Sequence, residues 1–442
     1  MSEPKKLKIL LSAFSCQPRR GSEPAVGWNI ARSLSKQHEV WVLTHNTDNY
    51  EPIKKELAEN PLPNLNFVFL EVSKRLKIHE WGRLGEQVNY YLWQIAAYFC
   101  AKKLHRQENF DLVQHVTFVK YSTPSFLSLL DAPFVWGPIG GGESSPKSFS
   151  DEFGLGGKTF EFLRSAARKI GELDPFVRLA ARRSRKIVAV TEETAGRLKN
   201  LGAKDIQILS QCALNEEELT YFGRMNQPPD EAKIRFVSIG RLLHWKGFHL
   251  GLRAFAAANI ENAEYEIVGT GPDEKRLKKL AAELGIEKKV RFRGELSRDE
   301  TFDCLANSHA LVHPSLHDSG SFACLEAMAA KRPVICLDLG GPAVIVSDDC
   351  GIKVSAENPE KTIEEIAAAM KLLAFDSALR RRIGESARQR AVEEFNWEKK
   401  VEFFNNLYAE IFQDAEIETS PEPLKNPLPE KSFGKKSSVA AN

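Results

Sequence analysis

The chain has 442 residues and a formal net charge of +2, with 43% hydrophobic and 27% charged residues. This length allows about two or three domains, and the composition is that of a globular protein. The small net charge argues against nucleic acid as a partner of the whole chain. The seven cysteines are scattered without a C-x-x-C pair, which disfavours a zinc site and a disulfide framework.

The first residues and the hydropathy give an expectation about location. Residues 1–6 are mostly polar and run at once into a short strand-like segment, and no stretch of about 18 apolar residues follows. We therefore expect a cytoplasmic protein. The basic and apolar segment 160–186 leaves open a peripheral position at the inner face of a membrane. A solvated helix pair covering the first sheet is the alternative interpretation of that segment.

Short apolar runs alternate with segments of helical period, which is typical of βα units around parallel sheets. A helix is predicted after the first strand, with Ser22 as its N-cap, Pro24 in its first turn and its end near Lys36. The predicted strands of the first half lie at 8–13, 39–44, 66–70, 111–116, 133–136 and 186–191.

The same pattern restarts after a double proline at 228–229. The predicted strands of the second half lie at 235–240, 265–269, 290–292, 310–313 and 334–337. Two doubly wound parallel-sheet domains in series fit this arrangement, with boundaries at 1–215 and 216–395. We expect a last helix at 396–413 to cross back to the first domain, and 414–442 to be a disordered tail.

Two cations follow the first strand of the second half. Arg241 and Lys246 stand five residues apart between Gly240 and Gly247. Ligands bind at the carboxyl ends of strands in open parallel sheets, and glycines allow close backbone approach. The pattern favours a diphosphate site, because two fixed cations can stabilise its charge. A solvated basic loop is the alternative.

A carboxylate stands in an apolar run at a second strand end. Glu326 lies within Phe322-Ala323-Cys324-Leu325-Glu326-Ala327-Met328, where burial without partners would be costly. We expect it to face a polar cleft and to accept hydrogen bonds from ribose hydroxyls. Gly320 and Ser321 are predicted to open the helix, so that their amides can face an anion.

Together, Asp318-x7-Glu326 with Arg241 and Lys246 resembles the donor-site signature of the retaining glycosyltransferases of family four, which have the GT-B fold. The segments 21–29 and 136–143 resemble loops of the same family. The resemblance covers about residues 7–413. It implies an acceptor-side N-terminal domain and a nucleotide-sugar domain, both Rossmann-like and facing a central cleft.

The resemblance also implies roles for individual residues. Arg241 and Lys246 would hold the donor diphosphate, Glu326 the ribose, and Asp318 a hydroxyl of the transferred sugar. His115 would lie beside that sugar, although a packed histidine is the alternative. The catalytic set is therefore His115, Arg241, Lys246 and Asp318. Apart from Arg241, Lys246 and Asp318, the donor-binding set comprises Gly21, Arg291, Phe292, Gly320, Ser321, Phe322 and Glu326.

The resemblance implies a reaction without a cofactor, in which a nucleoside-diphosphate sugar is the co-substrate and a saccharide or lipid-linked molecule is the acceptor. No Asp-x-Asp motif occurs, so we expect protein cations to replace a metal on the diphosphate. The family commonly has Glu-Gly-Phe-Gly where this chain has Asp318-Ser319-Gly320-Ser321. The shorter aspartate bears on the identity of the sugar.

Two other functions stay open at this point. Another GT-B enzyme, such as an inverting transferase or a sugar-nucleotide epimerase, would share the fold. A non-catalytic or weakly active partner subunit would be consistent with Asp318 and the altered glycine pattern beside it. Inversion of the product would favour the first, and failure of the purified chain to consume a donor would favour the second.

Overall fold

Strands and helices alternate along the chain in the structure, a computed structural model that describes residues 6–72, 82–118, 120–228 and 233–419. The strands form two parallel sheets, one of seven strands and one of six. Each half of the chain builds one sheet, which confirms the predicted α/β class with two doubly wound domains.

The N-terminal sheet has the strand order β3-β2-β1-β4-β5-β6-β7. Its order reverses between β1 and β4, where Ile9 pairs with Leu112. The strands are β1 (Lys8–Ala13), β2 (Glu39–His45), β3 (Leu65–Leu70), β4 (Leu112–Thr117), β5 (Phe134–Ile139), β6 (Lys186–Ala189) and β7 (Ile206–Ile208). The helices are α1 (Glu23–Leu34), α2 (Asn46–Glu59), α3 (Gly82–Glu108), α4 (Leu155–Leu173), α5 (Pro175–Arg183) and α6 (Glu192–Asn200).

The C-terminal sheet has the order β10-β9-β8-β11-β12-β13. Its order reverses between β8 and β11, where Phe236 pairs with Ala310. The strands are β8 (Ile234–Ile239), β9 (Ala263–Val268), β10 (Val290–Gly294), β11 (Ala310–His313), β12 (Val334–Leu337) and β13 (Gly351–Val354). The helices of this half are α7 (Glu216–Gly223), α8 (Phe248–Ala258), α9 (Glu274–Glu283), α10 (Arg298–Ala306), α11 (Phe322–Ala329), α12 (Gly340–Ile345), α13 (Pro359–Phe375) and α14 (Ser377–Glu394).

Both faces of each sheet are covered. On β1, Ile9 and Leu11 pack into one apolar cluster while Leu10 packs into another. On β8, Phe236 and Val237 likewise belong to different clusters. Successive side chains point to opposite faces, so a strand buried on both sides is a continuous apolar run. This is why the central strands could be located from the sequence.

The last helix, α15 (Trp397–Thr419), packs on the N-terminal domain. Lys186 of β6 pairs with Glu410 at 2.8 Å, and His38 bonds to Asn405 at 2.9 Å. The predicted end at 413 is wrong, because the helix continues to Thr419; residues 420–442 of the predicted disordered tail lie outside the described part.

Two strands and one helix cap differ from the sequence prediction. Strands β7 and β13 were not predicted, because they are short and only partly buried. Ser22 does stand at the N-cap of α1, but with φ of 63° and without a capping hydrogen bond from its side chain. In the described ranges, no helix combines the length and the apolar character needed to cross a bilayer.

Candidate active site

The loops that follow β8 and β11 meet where the order of the C-terminal sheet reverses. The side chains of Lys246 and Asp318 lie on these two loops, with Nζ 2.5 Å from Oδ2. Such reversal points, at the carboxyl ends of the strands, are where open parallel sheets bind ligands. The structure therefore brings two of the predicted catalytic residues into direct contact.

Gly247 is what allows the two loops to approach. Its φ is 69°, and a Cβ at this position would lie 1.8 Å from the carbonyl oxygen of Pro314. Any larger residue would push the loop after β8 away from the loop after β11. The sequence predicts that this glycine admits a ligand, whereas in the structure it admits the neighbouring loop and sets Lys246 beside Asp318.

Asp318 is held as a carboxylate. Burial alone would raise its pKa, but the Lys246 ammonium and a hydrogen bond with His313 outweigh burial and lower the pKa to about 2. His313 Nε2 lies 3.2 Å from Asp318 Oδ2 and 3.3 Å from Ser321 Oγ. A carboxylate can only accept hydrogen bonds, which suits a sugar hydroxyl as its partner.

The other predicted groups of these loops differ in environment. Arg241 is exposed, and within the described residues its side chain forms no ion pair, so it is free to meet an anion. Ser321 is buried at the N-cap of α11, which begins at Phe322. Gly320 packs against Gln211, since a Cβ there would lie 2.8 Å from Gln211 Nε2.

Glu326 faces a cavity between the two domains. The cavity has a volume of about 470 Å³, and it is lined from the N-terminal domain by Gly21 and from α11 by Phe322 and Glu326. Arg298 lies 3.8 Å from Glu326 and also pairs with Glu218. Three predicted donor-binding residues from both domains thus share one polar cavity.

The pKa of Glu326 is unusually high. Burial and the negative charge of Glu218 raise the pKa, while the positive charge of Arg298 lowers it, and the result is a pKa of about 7. The carboxyl group is therefore divided between its protonated and ionised forms near neutral pH. A ligand whose hydroxyls donate to it would favour the ionised form.

An aromatic cluster joins the domains beside the Lys246 loop. The ring of Trp245 stacks on Phe160 at 5.0 Å and on His317 at 5.1 Å. Glu161 of α4 lies 3.2 Å from both His244 and His317. Burial would raise the pKa of Glu161, but its bonds to the two histidines hold it below the usual range.

A second contact between the domains involves the loop 140–143. Glu143 is 2% exposed, and its carboxylate accepts from Ser319 Oγ at 2.5 Å, Thr191 Oγ1 at 2.7 Å and Thr194 Oγ1 at 2.8 Å. The amide of Gly141 donates to Ser319 Oγ at 3.1 Å. Ser319 therefore joins the N-terminal domain to the Asp318 loop.

His115 has the environment of a packed histidine. It is 1% exposed, and its Nε2 lies 3.1 Å from the Tyr90 hydroxyl and 3.0 Å from the Thr117 carbonyl oxygen. Burial, opposed by the Thr117 contact, lowers its pKa to about 4, so the ring is neutral at pH 7. Its Nδ1 has no hydrogen-bond partner in the described residues. A role beside the sugar stays a prediction.

Arg291 and Phe292 are placed away from this group. Arg291 pairs with Glu264 at 3.1 Å, close to Arg235, which also pairs with Glu264. Phe292 packs against the apolar core, with Lys278 over its ring. Neither shares a contact with Lys246, Asp318 or Glu326 within the described residues, because β10 is an edge strand on the far side of β9.

Several residues of the site were missed from the sequence. His313 ends β11 and could have been identified, since ligands bind at the carboxyl ends of parallel strands. Arg298 and Glu218 could not have been identified in this way, because they lie on the helices α10 and α7 and not at a strand end. Only the tertiary packing of these helices places them at the cavity. The cavity is also lined by Arg19, Arg20 and Arg32, of which the first two directly precede Gly21.

Comparison with known proteins relates this site to a family. Residues 224–390 match the family model for glycosyl transferases group 1. The chain is 32% identical over 270 residues to a D-inositol 3-phosphate glycosyltransferase of Streptomyces bingchenggensis, covering 56% of each protein. It is 29% identical over 205 residues to the lipopolysaccharide core biosynthesis glycosyltransferase LpsD of Rhizobium meliloti, covering 45% of this chain and 55% of that protein. The matches thus span about half the length of these relatives.

Solved structures share the fold over nearly the whole chain. Sucrose-phosphate synthase from Thermosynechococcus elongatus superposes with a TM-score of 0.63 at 16% identity, over 92% of this chain and 100% of that one. HepE of Anabaena in complex with UDP superposes with a TM-score of 0.58 at 15% identity, again over 92% and 100%. At such identities the likeness concerns the fold alone, and that fold is GT-B.

Proposed function

We propose that this chain, which has the GT-B fold and whose residues 224–390 match the glycosyl transferases group 1 model, transfers a sugar from a nucleoside-diphosphate sugar to an acceptor. The acceptor is a saccharide or a lipid-linked molecule in polysaccharide or glycolipid synthesis. The relatives named for inositol phosphate and lipopolysaccharide core transfer support this class.

One observation carries the proposal. Lys246 and Asp318 meet at 2.5 Å at the reversal point of the C-terminal sheet, and exposed Arg241 lies on the same loop as Lys246. A cation beside a carboxylate suits a ligand that has both a phosphate and a hydroxylated ring. Lys246 and Arg241 neutralise the diphosphate, while Asp318 accepts a hydrogen bond from the sugar.

The reaction we propose retains the anomeric configuration. The acceptor hydroxyl attacks the anomeric carbon on the face that the phosphate leaves. The new C–O bond forms as the bond from that carbon to the phosphate oxygen breaks, and the departing phosphate oxygen takes the acceptor proton. The protein orients both substrates, excludes water and stabilises the growing phosphate charge through Arg241 and Lys246.

Donor binding is tested by thermal shift with uridine, guanosine and adenosine diphosphates and their sugars. A ligand that binds only the folded state raises the melting temperature by mass action. We expect one nucleotide series to stabilise the protein and Glu326→Gln to reduce that shift. If no nucleotide moves the melting temperature, the proposed donor site is wrong.

A further inference from the structure

Large apolar side chains are exposed along one stripe of α4. Phe162 is 72%, Ile170 71% and Leu173 74% exposed, and Leu155 and Leu163 are also exposed. In a helix of 3.6 residues per turn these five positions fall within about 100° of one another. A helix on the surface of a globular protein normally buries such a stripe against the core. In α4 the stripe faces away from the core and is not packed against another part of the described chain.

The stripe continues onto α5 and α3. Phe176 of α5 makes an edge contact with Phe126 at 5.1 Å, and Phe126 contacts Tyr91 of α3 at 5.7 Å. Ile95 and Phe99, one and two turns beyond Tyr91 on α3, are also exposed. We call the whole set the apolar face; its members are Ile95, Phe99, Leu155, Phe162, Leu163, Ile170, Leu173, Phe176 and Leu179.

The exposed charges around the apolar face are mainly basic, and exposed Asp151, just before α4, pairs with Lys158 at 2.8 Å. Within residues 154–183 every exposed charged side chain is basic, namely Lys158, Lys169, Arg182 and Arg183. The three acids of this segment are engaged by the protein: Glu161 by His244 and His317, Glu172 by Arg197, and Asp174 by Tyr91. Further bases stand beyond Phe99 on α3, at Lys102, Lys103 and Arg106.

We infer that the apolar face docks on the surface of an anionic lipid bilayer. An apolar stripe inserts at the boundary between headgroups and acyl chains, while flanking lysines and arginines meet anionic headgroups. A second copy of the chain fits less well, since a twofold contact would bring the two basic rims together. Docking itself does not depend on the proposed function. Only the conclusion that docking delivers a lipid-linked acceptor rests on the proposed transferase activity.

The docked helix also reaches the candidate active site. Phe160 and Glu161 lie on α4 between Leu155 and Phe162, and they contact Trp245 and His317 of the donor domain. A helix of nineteen residues is about 28 Å long. Docking along α4 therefore brings the mouth of the site to the bilayer, where a lipid-linked acceptor would be held.

Vesicle flotation of the full chain tests the inference. The vesicles are phosphatidylcholine alone or phosphatidylcholine with roughly one third phosphatidylglycerol, at low and high salt. We expect flotation with the anionic vesicles and weaker flotation at high salt. The double variant Phe162→Ser/Ile170→Ser is expected to bind roughly tenfold more weakly, and Lys169→Glu to weaken binding chiefly at low salt.

A matched control lies on the other domain. Phe375 is 77% exposed on α13, so Phe375→Ser removes a comparable apolar side chain without touching the apolar face, and its flotation should equal that of the parent protein. Equal flotation of the double variant and the parent, or no flotation at all, overturns the inference.

Light scattering tests the alternative occupant. If the parent protein dimerises and the double variant does not, the apolar face binds a second copy of the chain instead. Nucleotide thermal shifts, which do not depend on the apolar face, report separately on the proposed function.

Discussion

At the scale of single residues, the contact between Lys246 and Asp318 is the feature with the clearest chemical meaning. The ammonium holds the pKa of Asp318 near 2 although the carboxylate is largely enclosed. Asp318 is thus ionised at any physiological pH. The pair presents a cation and an acceptor to a ligand while leaving no buried charge uncompensated.

Substitution of either cation should slow turnover more than it weakens binding of the donor. Negative charge on the phosphate grows as the glycosidic bond breaks, and only interactions that strengthen in the transition state accelerate that step. We expect Lys246→Ala and Arg241→Ala each to reduce kcat on the order of a hundredfold. Arg241→Lys should also be impaired, because an ammonium cannot reproduce the guanidinium fork.

Steady-state kinetics decides this, with Lys279→Ala as the control. Lys279 is an exposed lysine of α9 that pairs with Glu283 within its own helix, so its removal should leave kcat unchanged. Wild-type turnover in a folded Lys246 or Arg241 variant would remove that residue from the site.

Glu326 offers a test by proton release. Its pKa is about 7 in the free protein, and ribose hydroxyls that donate to its carboxylate would lower that pKa. Donor binding at pH 7 should then release a fraction of a proton, and affinity should rise as the pH increases towards 7 and level off above it. Calorimetry in buffers of different ionisation enthalpy measures the released proton directly.

The control for this experiment is Glu326→Gln, which keeps the shape of the side chain but cannot titrate. We expect it to abolish the proton release and to weaken binding. An unchanged proton count in that variant would place the titrating group elsewhere.

The outcomes for individual residues show what spacing along a chain can reveal. Lys246 and Asp318 were predictable because each follows a buried strand, and parallel strands end at one edge of the sheet. Arg291 was not, since a residue within an edge strand pairs with its cross-strand neighbours, here Glu264. The high pKa of Glu326 depends on Glu218 and Arg298, which no local pattern connects to it.

At the scale of elements, two loops decide how the domains meet. The loop 140–143 packs so closely on the loop after β11 that a Cβ on Gly140 would lie 2.9 Å from the Cβ of Ser319. The hydroxyl of Ser319 then bonds to buried Glu143. The serine hydroxyl therefore makes a contact that a glycine at this position could not make.

Glu143→Gln and Ser319→Ala should separate these roles. The first deprives Thr191 and Thr194 of a charged acceptor inside the N-terminal domain, so the free energy of unfolding should fall by about 1–3 kcal/mol. The second removes only the contact between domains, so we expect a loss of about 1 kcal/mol or less together with faster hydrogen exchange at Gly141. Chemical denaturation and hydrogen exchange provide the two measurements.

Ser347→Ala is the matched control, since that hydroxyl bonds to Asp349 within its own loop and should leave exchange at Gly141 unchanged. If Ser319→Ala also leaves that exchange unchanged, the contact between the two loops is too weak to hold the domains.

The elements themselves were predictable to the extent that they are buried. Strands β11 and β12 are continuous apolar runs covered on both faces, and the sequence located both. Strand β13 begins with glycine and is half covered, so neither its composition nor its period distinguishes it from a loop. The end of α15 was placed too early because polar composition does not by itself stop a helix.

At the scale of the whole molecule, two sheets face a cleft that neither could form alone. Gly21 and Trp28 line it from one side and Glu326 from the other, while α15 packs on the first domain. The fold was predictable because the βα pattern occurs twice. The contacts across the cleft were not, since they join residues more than eighty positions apart.

We propose that this cleft transfers a sugar with protein cations, and not a metal, on the diphosphate. Removal of metal ions with EDTA should therefore leave the rate essentially unchanged, because Arg241 and Lys246 carry the charge stabilisation.

The most direct test is an NMR time course of donor consumption by the purified chain in EDTA, which reads the anomeric proton of the first product before it equilibrates. We predict release of the nucleoside diphosphate and a product with the configuration of the donor sugar. Loss of activity that magnesium or manganese restores, or a product of inverted configuration, would contradict the account.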